Sequence, residues 1–105
     1  SDEKPKRPED VTEIHVKQVA IARAAEAGWT IGLDDCRVTA IQPRPIVNYE
    51  SGLGRTVVNL PVWQWIVDIR PKSPPNKSVK LLAVLVEFAL SELYAANFLS
   101  EEDLH

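Results

Sequence analysis

The sequence predicts an α+β fold of two layers, in which a small antiparallel meander sheet of three to four strands is flanked by an N-terminal helix and a long C-terminal helix (α-β-β-β-α). Two observations carry this prediction. Apolar residues recur with helical spacing at residues 10–27 and 78–99, whereas they alternate with polar residues between these segments. The length of 105 residues and the 45% of hydrophobic residues suit one globular domain. We expect a mobile charged tail over residues 1–9 and a single domain over residues 10–105.

The first helix is expected to follow the charged tail. Asp10 is a good N-cap, and Glu13 three residues later completes a pair that resembles a capping box. Gly28 is suited to the position just after the helix, where the backbone often turns left-handed. The alanine-rich second half would let another backbone approach closely. The apolar residues that helical spacing places on one face are Val11, Ile14, Ile21, Ala22 and Ala25.

Alternating apolar and polar residues predict strands at residues 29–33, 36–50 and 56–70. Pro43 and Pro45 interrupt the second of these stretches. Because proline cannot donate a hydrogen bond to a strand ladder, we expect this part at an edge, a bulge or a crossing. The glycine-containing loop that follows lacks the lysine, the hydroxyl residue and the helix of a phosphate-binding loop, so we interpret it as a hairpin turn.

The stretch at residues 56–70 is the strongest strand in the sequence. Its large apolar side chains fall on one face at the period of two that a strand requires. We expect this face to lie against the helices, which would place its tryptophans in the core. The residues that share the face are Trp63, Trp65, Val67 and Ile69.

Residues 78–99 are expected to form one long helix. Alanine, leucine and glutamate favour helix, the run is too long for one strand, and Ser78 can cap its start. Lys80, Glu87 and Ser91 form a narrow polar stripe at helical spacing, while large apolar residues fill most of the remaining circumference. Such a helix needs neighbouring protein on several sides. A second copy packed helix against helix across a two-fold axis would supply it, so we expect a homodimer.

The sequence contains no motif for catalysis, cofactor binding or metal binding, and we expect no enzyme activity, cofactor or metal. The nearest alternative is a Cys36 thiolate with His15 as its partner, against the more common role of a free cysteine as a small buried apolar residue. A single cysteine and the lack of an apolar N-terminal run predict a cytoplasmic location. Two glutamates inside the apolar C-terminal run argue against a membrane span.

These features together predict a protein-binding module of the adaptor, chaperone or inhibitor (immunity) type, whose partner is another protein. The predicted interface consists of polar and aromatic residues of the C-terminal run and two arginines of the sheet. These residues are Lys80, Glu87, Ser91, Glu92, Tyr94, Arg55 and Arg70.

The alternative is single-stranded nucleic-acid binding through a basic sheet that bears tryptophans. Residues 37–80 contain seven lysines and arginines against two acidic residues, a net charge of +5 within a chain of net charge −3. Tyr49, Trp63 and Trp65 would supply stacking rings only if they were exposed, so the position of the tryptophans discriminates between the two functions. The overall acidity makes nucleic acid the less favoured partner.

Overall fold

The computed structural model of the protein describes residues 7–46, 49–50, 53–54, 56–57, 60–72 and 82–99. Within these residues, one α-helix lies against one face of an antiparallel sheet, and the α+β class is confirmed. The elements are α1 (Glu13–Glu26), β1 (Cys36–Ile46), β2 (Tyr49–Glu50), β3 (Thr56–Val57), β4 (Leu60–Ile69), β5 (Leu82–Ala89) and β6 (Glu92–Phe98). Strands β1, β4, β5 and β6 form a four-stranded sheet in that order, and β2 pairs with β3 in a two-stranded sheet.

The prediction of a long C-terminal helix is wrong for the described residues of that segment. Residues 82–98 form the antiparallel hairpin β5–β6, and residues 78–81 lie outside the described residues. The physical reason is that β5 lies between β4 and β6 and is buried along nearly its whole length. A central strand that is buried on both faces has a continuous apolar run, which a helix can share. Helix propensity differs by less than about 1 kcal/mol per residue, so burial in the sheet outweighs it.

The turn between β5 and β6 has no signal in the sequence. Ala89 pairs with Glu92, so Leu90 and Ser91 form a two-residue loop. Leu90 has a φ of 58°, in the left-handed region that glycine or asparagine normally occupies in such turns. Because leucine occupies this position, the sequence contains no glycine, asparagine or proline that would predict a turn here.

The N-cap of helix α1 lies two residues after Asp10, the N-cap expected from the sequence. The N-cap is Thr12 and not Asp10, because the Thr12 hydroxyl accepts a hydrogen bond from the His15 backbone N–H at 3.1 Å. The C-terminal end agrees with the sequence analysis. Ala27 is the C-cap and Gly28 follows it with a φ of 89°.

The buried face of α1 differs from the stripe expected from helical spacing. Val16, Ala20 and Ala24 are fully buried, whereas Ile14 is 59% exposed. Ala22 and Ala25, which were also expected in the core, are exposed. The large rings at this contact come from the sheet, so the helix presents its smallest side chains to them and approaches closely.

The face of the sheet that packs against α1 is the face of β4 that carries Trp63 and Trp65, as expected from the sequence. Trp65 is only 2% exposed, and Val67 and Ile69 are fully buried in the same cluster as the buried face of α1. Phe88 of β5 meets the Trp65 ring edge to face at a centroid distance of 5.6 Å. Residues 29–33 pack on this core without forming the expected strand, since they are irregular and lead into a 3-10 turn at Leu33–Asp35.

Both edges of the four-stranded sheet carry features that hinder pairing with another strand. Pro43 and Pro45 lie in the edge strand β1, as expected, and the ladder is irregular between Val38 and Ala40. At the other edge, β6 contains a bulge opposite Glu87 and Phe88. Arg23 of α1 donates from Nε to the Ala96 carbonyl at 3.2 Å and stacks 4.7 Å from the centre of the Phe98 ring.

Strands β2 and β3 pair in the same register as β1 and β4. Ile46 pairs with Leu60, and Tyr49 pairs with Val57, so the sum of the paired residue numbers is unchanged. The last β4–β5 pair is Val62 with Ala89. Strands β2 and β3 form a two-stranded sheet separate from the four-stranded one. Of the hairpin loop expected at residues 51–55, only Leu53 and Gly54 lie within the described residues.

Candidate functional site

Three large apolar side chains are exposed in the β5–β6 turn and in the first residues of β6. Leu90 is 64% exposed, Leu93 is 51% exposed and Tyr94 is 41% exposed. We call these three residues the turn patch. Large apolar side chains that are exposed at one turn can mark a site of interaction.

The turn patch lies beside a cluster of packed rings. Leu93 pairs across the sheet with the buried Phe88, and the His15 ring of α1 meets the Phe88 ring edge to face at 5.4 Å. Phe88 in turn packs against Trp65. The patch is therefore held by the sheet and by the start of the helix.

Leu90 holds its position in the patch at an energetic cost. A left-handed backbone costs a residue with a side chain about 1–2 kcal/mol, and glycine would avoid that cost. Strained residues persist where the surrounding structure holds them, and they are concentrated at functional sites. The exposed side chain of Leu90 gains little by burial within this chain, so burial does not offset the strain.

The structure brings together only part of the interface predicted from the sequence. Ser91 and Glu92 lie beside the turn patch, and Tyr94 belongs to it. Arg70 lies at the other end of the sheet, eight residues along β4 from Val62, or roughly 26 Å at about 3.3 Å per residue. Lys80 and Arg55 lie outside the described residues.

Glu87 is not an exposed interface residue, as a helical stripe predicts, but a buried member of a polar network. It is 6% exposed and lies on the face of the sheet opposite α1. Its Oε2 accepts hydrogen bonds from Arg44 Nη2 at 2.7 Å, from Arg44 Nε at 3.2 Å and from Gln64 Nε2 at 3.0 Å. Gln42 Nε2 donates to Gln64 Oε1 at 2.9 Å.

This network joins three neighbouring strands, because its side chains come from β1, β4 and β5. A buried carboxylate needs a cation or several donors, and Arg44 with Gln64 provides both. If one of these strands shifted by one residue, its side chain in the network would point to the opposite face of the sheet. We therefore infer that the network helps to fix the register of β1, β4 and β5. The sequence signal that predicts part of it is the alternation that puts Gln42 and Gln64 on the same face.

Cys36 and His15 are not brought together as a catalytic pair. Cys36 is buried, and its thiol donates to the Gly32 carbonyl at 3.6 Å. His15 packs on Phe88, whose position along the sheet is six residues from that of Cys36, or about 20 Å. The burial expected for a small apolar cysteine is confirmed.

The burial of Cys36 predicts that its thiol reacts slowly with alkylating reagents. Burial raises the pKa of the Cys36 thiol, the Lys17 ammonium opposes the rise and the Asp35 carboxylate adds to it. We expect iodoacetamide at neutral pH to label the folded protein at least about tenfold more slowly than the urea-unfolded protein. Equal labelling rates, measured by mass spectrometry, would contradict the burial.

The same shift of the Cys36 pKa affects stability. A raised pKa in the folded state contributes stability that is present below the pKa of the unfolded thiol and is lost as the pH rises through the raised value. We expect the free energy of unfolding to fall less between pH 8 and pH 11 in Cys36→Ala than in the wild type. Identical slopes in urea titrations of the two proteins would disprove this linkage.

A groove of about 500 Å³ lies beside Cys36 at the end of the sheet far from the turn patch. The Lys72 ammonium lies 3.9 Å from Asp35 Oδ1 in this groove. Acidic and basic side chains are equal in number there, so the groove has no net charge that would select an anion or a cation. The charged residues that line it are Asp34, Asp35, Arg37, Asp68, Arg70 and Lys72.

The tryptophans do not form the stacking platform that the nucleic-acid alternative requires. Trp65 lies in the core beside Phe88. Trp63 packs partly buried against the same core, and its indole Nε1 is buried without a hydrogen-bond partner in the described part of the structure. A base could not stack on the enclosed Trp65 ring without opening the contact between α1 and the sheet.

Comparison of the chain with protein-family models, with curated proteins and with solved structures finds no match. The described residues contain no group of three or more histidine, cysteine, aspartate or glutamate side chains that could hold a metal ion. They also contain no helix that is long and apolar enough to cross a membrane.

Proposed function

We propose that the protein is a non-enzymatic protein-binding module of the adaptor, chaperone or inhibitor type, and that the turn patch docks an apolar segment of its partner. The observation that carries this proposal is the exposed, left-handed Leu90 beside the exposed Leu93. A leucine that is both strained and exposed costs folding stability, and contact with an apolar partner would offset that cost.

The packing beside the turn patch favours this role. Phe88 packs against Trp65 and His15, so the backbone of the β5–β6 hairpin is already ordered before docking. Ser91 and Glu92 border the patch and would form a polar rim, as in many protein interfaces. The nucleic-acid alternative has less support because Trp65 is enclosed.

A homodimer remains part of the proposal, but its basis changes. The packing of two C-terminal helices across a two-fold axis has no counterpart in the structure, since residues 82–98 form strands.

Site-specific photocrosslinking in the native host tests the partner surface. A photoreactive residue is placed at Leu90 or at Leu93, and a control is placed at Leu33, which is comparably exposed but lies at the far end of the sheet. We expect one protein species to crosslink from both patch positions and not from residue 33. Equal yields from all three positions, or a product that contains only this chain, would contradict the proposal.

Substitution of Leu90 separates stability from binding. Leu90→Gly is expected to raise the free energy of unfolding by up to about 1 kcal/mol, because glycine adopts the left-handed backbone without strain. The same variant is expected to lose most of the crosslinking from residue 93. Leu90→Ala is the matched control, since it removes the side chain but keeps the strain, and it should lose crosslinking without the gain in stability. Full crosslinking in both variants would exclude Leu90 from the interface.

A further inference from the structure

We propose that Arg23 of α1 keeps the outer edge of β6 from pairing with the same edge of a second copy. Without this contact, two β6 strands would pair antiparallel across a two-fold axis and join two four-stranded sheets into one. The inference goes beyond the docking of a partner at the turn patch, because it assigns a protective role to a contact between the helix and the sheet edge.

The main chain of β6 turns part of its hydrogen-bonding groups away from the sheet. The Leu99 N–H donates to the Ala83 carbonyl at 2.9 Å, so these residues form a hydrogen-bonded pair of the β5–β6 ladder. Bonded and non-bonded pairs alternate along an antiparallel ladder, and the register is regular over this part of β6. The N–H and C=O groups of Ala96 and Phe98 therefore point to the outer edge. Among the described strands, β6 pairs with β5 alone.

The residues of this segment favour pairing with a second copy at an exposed edge. Residues 93–99 contain no charged residue and no proline, and they include two aromatic residues. Uncharged segments of this length with strand-forming residues are prone to pair edge to edge. In a two-fold contact each residue meets the same short segment of the other chain, so an uncharged segment brings no like charges together. A second copy is therefore the partner that an unprotected β6 edge fits.

Arg23 covers this edge from the helix. Its Nε donates to the Ala96 carbonyl at 3.2 Å, which is one of the acceptors that point outward. The guanidinium carbon lies 4.7 Å from the centre of the Phe98 ring, and Nη1 lies 3.3 Å from Glu26 Oε2. A strand that paired with this part of β6 would need the Ala96 carbonyl, so it would have to displace Arg23.

The contact lies where β6 has no other protection. The bulge opposite Glu87 and Phe88 interrupts the ladder near the start of β6, and bulges hinder pairing at an edge. The ladder is regular again from Ala95 to Phe98, and the Arg23 contacts lie in this part. Arg23 therefore protects the part of the edge that the bulge leaves regular.

A matched pair of alanine substitutions in α1 tests the proposal by sedimentation equilibrium. Arg23→Ala and Lys17→Ala each remove one cation and one ion pair within the helix, but only Arg23 contacts β6 among the printed interactions of the two. We expect the average mass of Arg23→Ala at about 100 µM to be at least about 1.5 times that of the wild type. Lys17→Ala should keep the wild-type mass. Because each mass is compared with the wild type, association through another surface does not affect the comparison.

Asn97→Lys in the Arg23→Ala background separates edge pairing from aggregation of unfolded chains. Asn97 is exposed and adjoins Ala96, so the lysine places a charge on the same edge. We expect the double variant to return to the wild-type mass, because the lysine hinders edge pairing but does not restore a lost fold. An Arg23→Ala variant with the wild-type mass, an equal rise in Lys17→Ala, or a double variant that stays associated would overturn the proposal.

Hydrogen exchange locates the pairing on the chain. The amides of Ala96 and Phe98 point outward, so they should become protected in Arg23→Ala as its concentration rises. If Arg23→Ala associates while these two amides keep the exchange rates of the wild type, another surface mediates the association and the proposal is wrong.

Discussion

Phe88→Ala is expected to lower the free energy of unfolding by about 4 kcal/mol, the largest effect of any single substitution considered for this protein. Phe88 is fully buried, and its ring meets the rings of Trp65 and His15 edge to face at 5.6 Å and 5.4 Å. Its loss leaves a cavity between the sheet and α1 in addition to the lost transfer free energy. A domain of this size has a total stability of about 5–15 kcal/mol, so the variant would lie close to the unfolding threshold.

Urea denaturation followed by tryptophan fluorescence measures this loss. The matched control is Leu93→Ala, because Leu93 is the cross-strand partner of Phe88 but is half exposed. We expect the control to lose less than about 1 kcal/mol. Similar losses for the two variants would show that Phe88 does not hold the contact between the helix and the sheet.

Arg44→Ala is expected to lower the free energy of unfolding by about 2–3 kcal/mol. The substitution removes two of the three hydrogen bonds at Glu87 Oε2 and leaves a buried carboxylate with Gln64 as its donor. This loss of stability is smaller than the loss expected for a fully buried ion pair, because Arg44 is partly exposed and solvent screens part of the interaction. Glu92→Gln is the control, since Glu92 is an exposed glutamate on the next strand.

A double-mutant cycle of Arg44→Ala and Glu87→Ala separates this interaction from general loss of packing. We expect the double variant to be less destabilised than the sum of the two single variants by about 1–2 kcal/mol, since removal of both partners leaves no unpaired charge. Additive losses would show that the network does not couple β1 to β5.

The turn patch and the groove with mixed charges lie at opposite ends of the four-stranded sheet. Ala89, which precedes the patch, pairs with Val62, whereas the groove contains Arg70 and Lys72. Apolar contacts are therefore expected at the end of the sheet that carries the turn patch.

The sequence predicts the middle of the chain well because its patterns there are local. Alternation from residue 56 to residue 70 identifies β4 and the face that Trp65 shares with the core. Pro43 and Pro45 identify an edge strand, and Gly28 identifies the end of the helix. Each of these signals acts through a backbone dihedral, a missing donor or the period of a strand, and none depends on a distant partner.

The candidate sites could not be predicted in the same way. The turn patch depends on a hairpin whose turn has leucine where glycine is expected, and helical spacing instead distributes its residues around a helix. The buried network depends on the meeting of Arg44 with Glu87, which are 43 residues apart. Neither residue carries a local sign of this pairing.

What the sequence by itself determined is the α+β class, the strands β1 and β4 and the limits of the first helix to within two residues. Only the tertiary structure decided that residues 82–98 are strands, which face of α1 is buried and where Glu87 lies. The reason is one of magnitude. Helix and strand propensities differ by less than about 1 kcal/mol per residue, whereas full burial of a valine or leucine side chain contributes about 1.5–3 kcal/mol. A segment such as β5 therefore takes the conformation that its neighbours in the sheet can enclose.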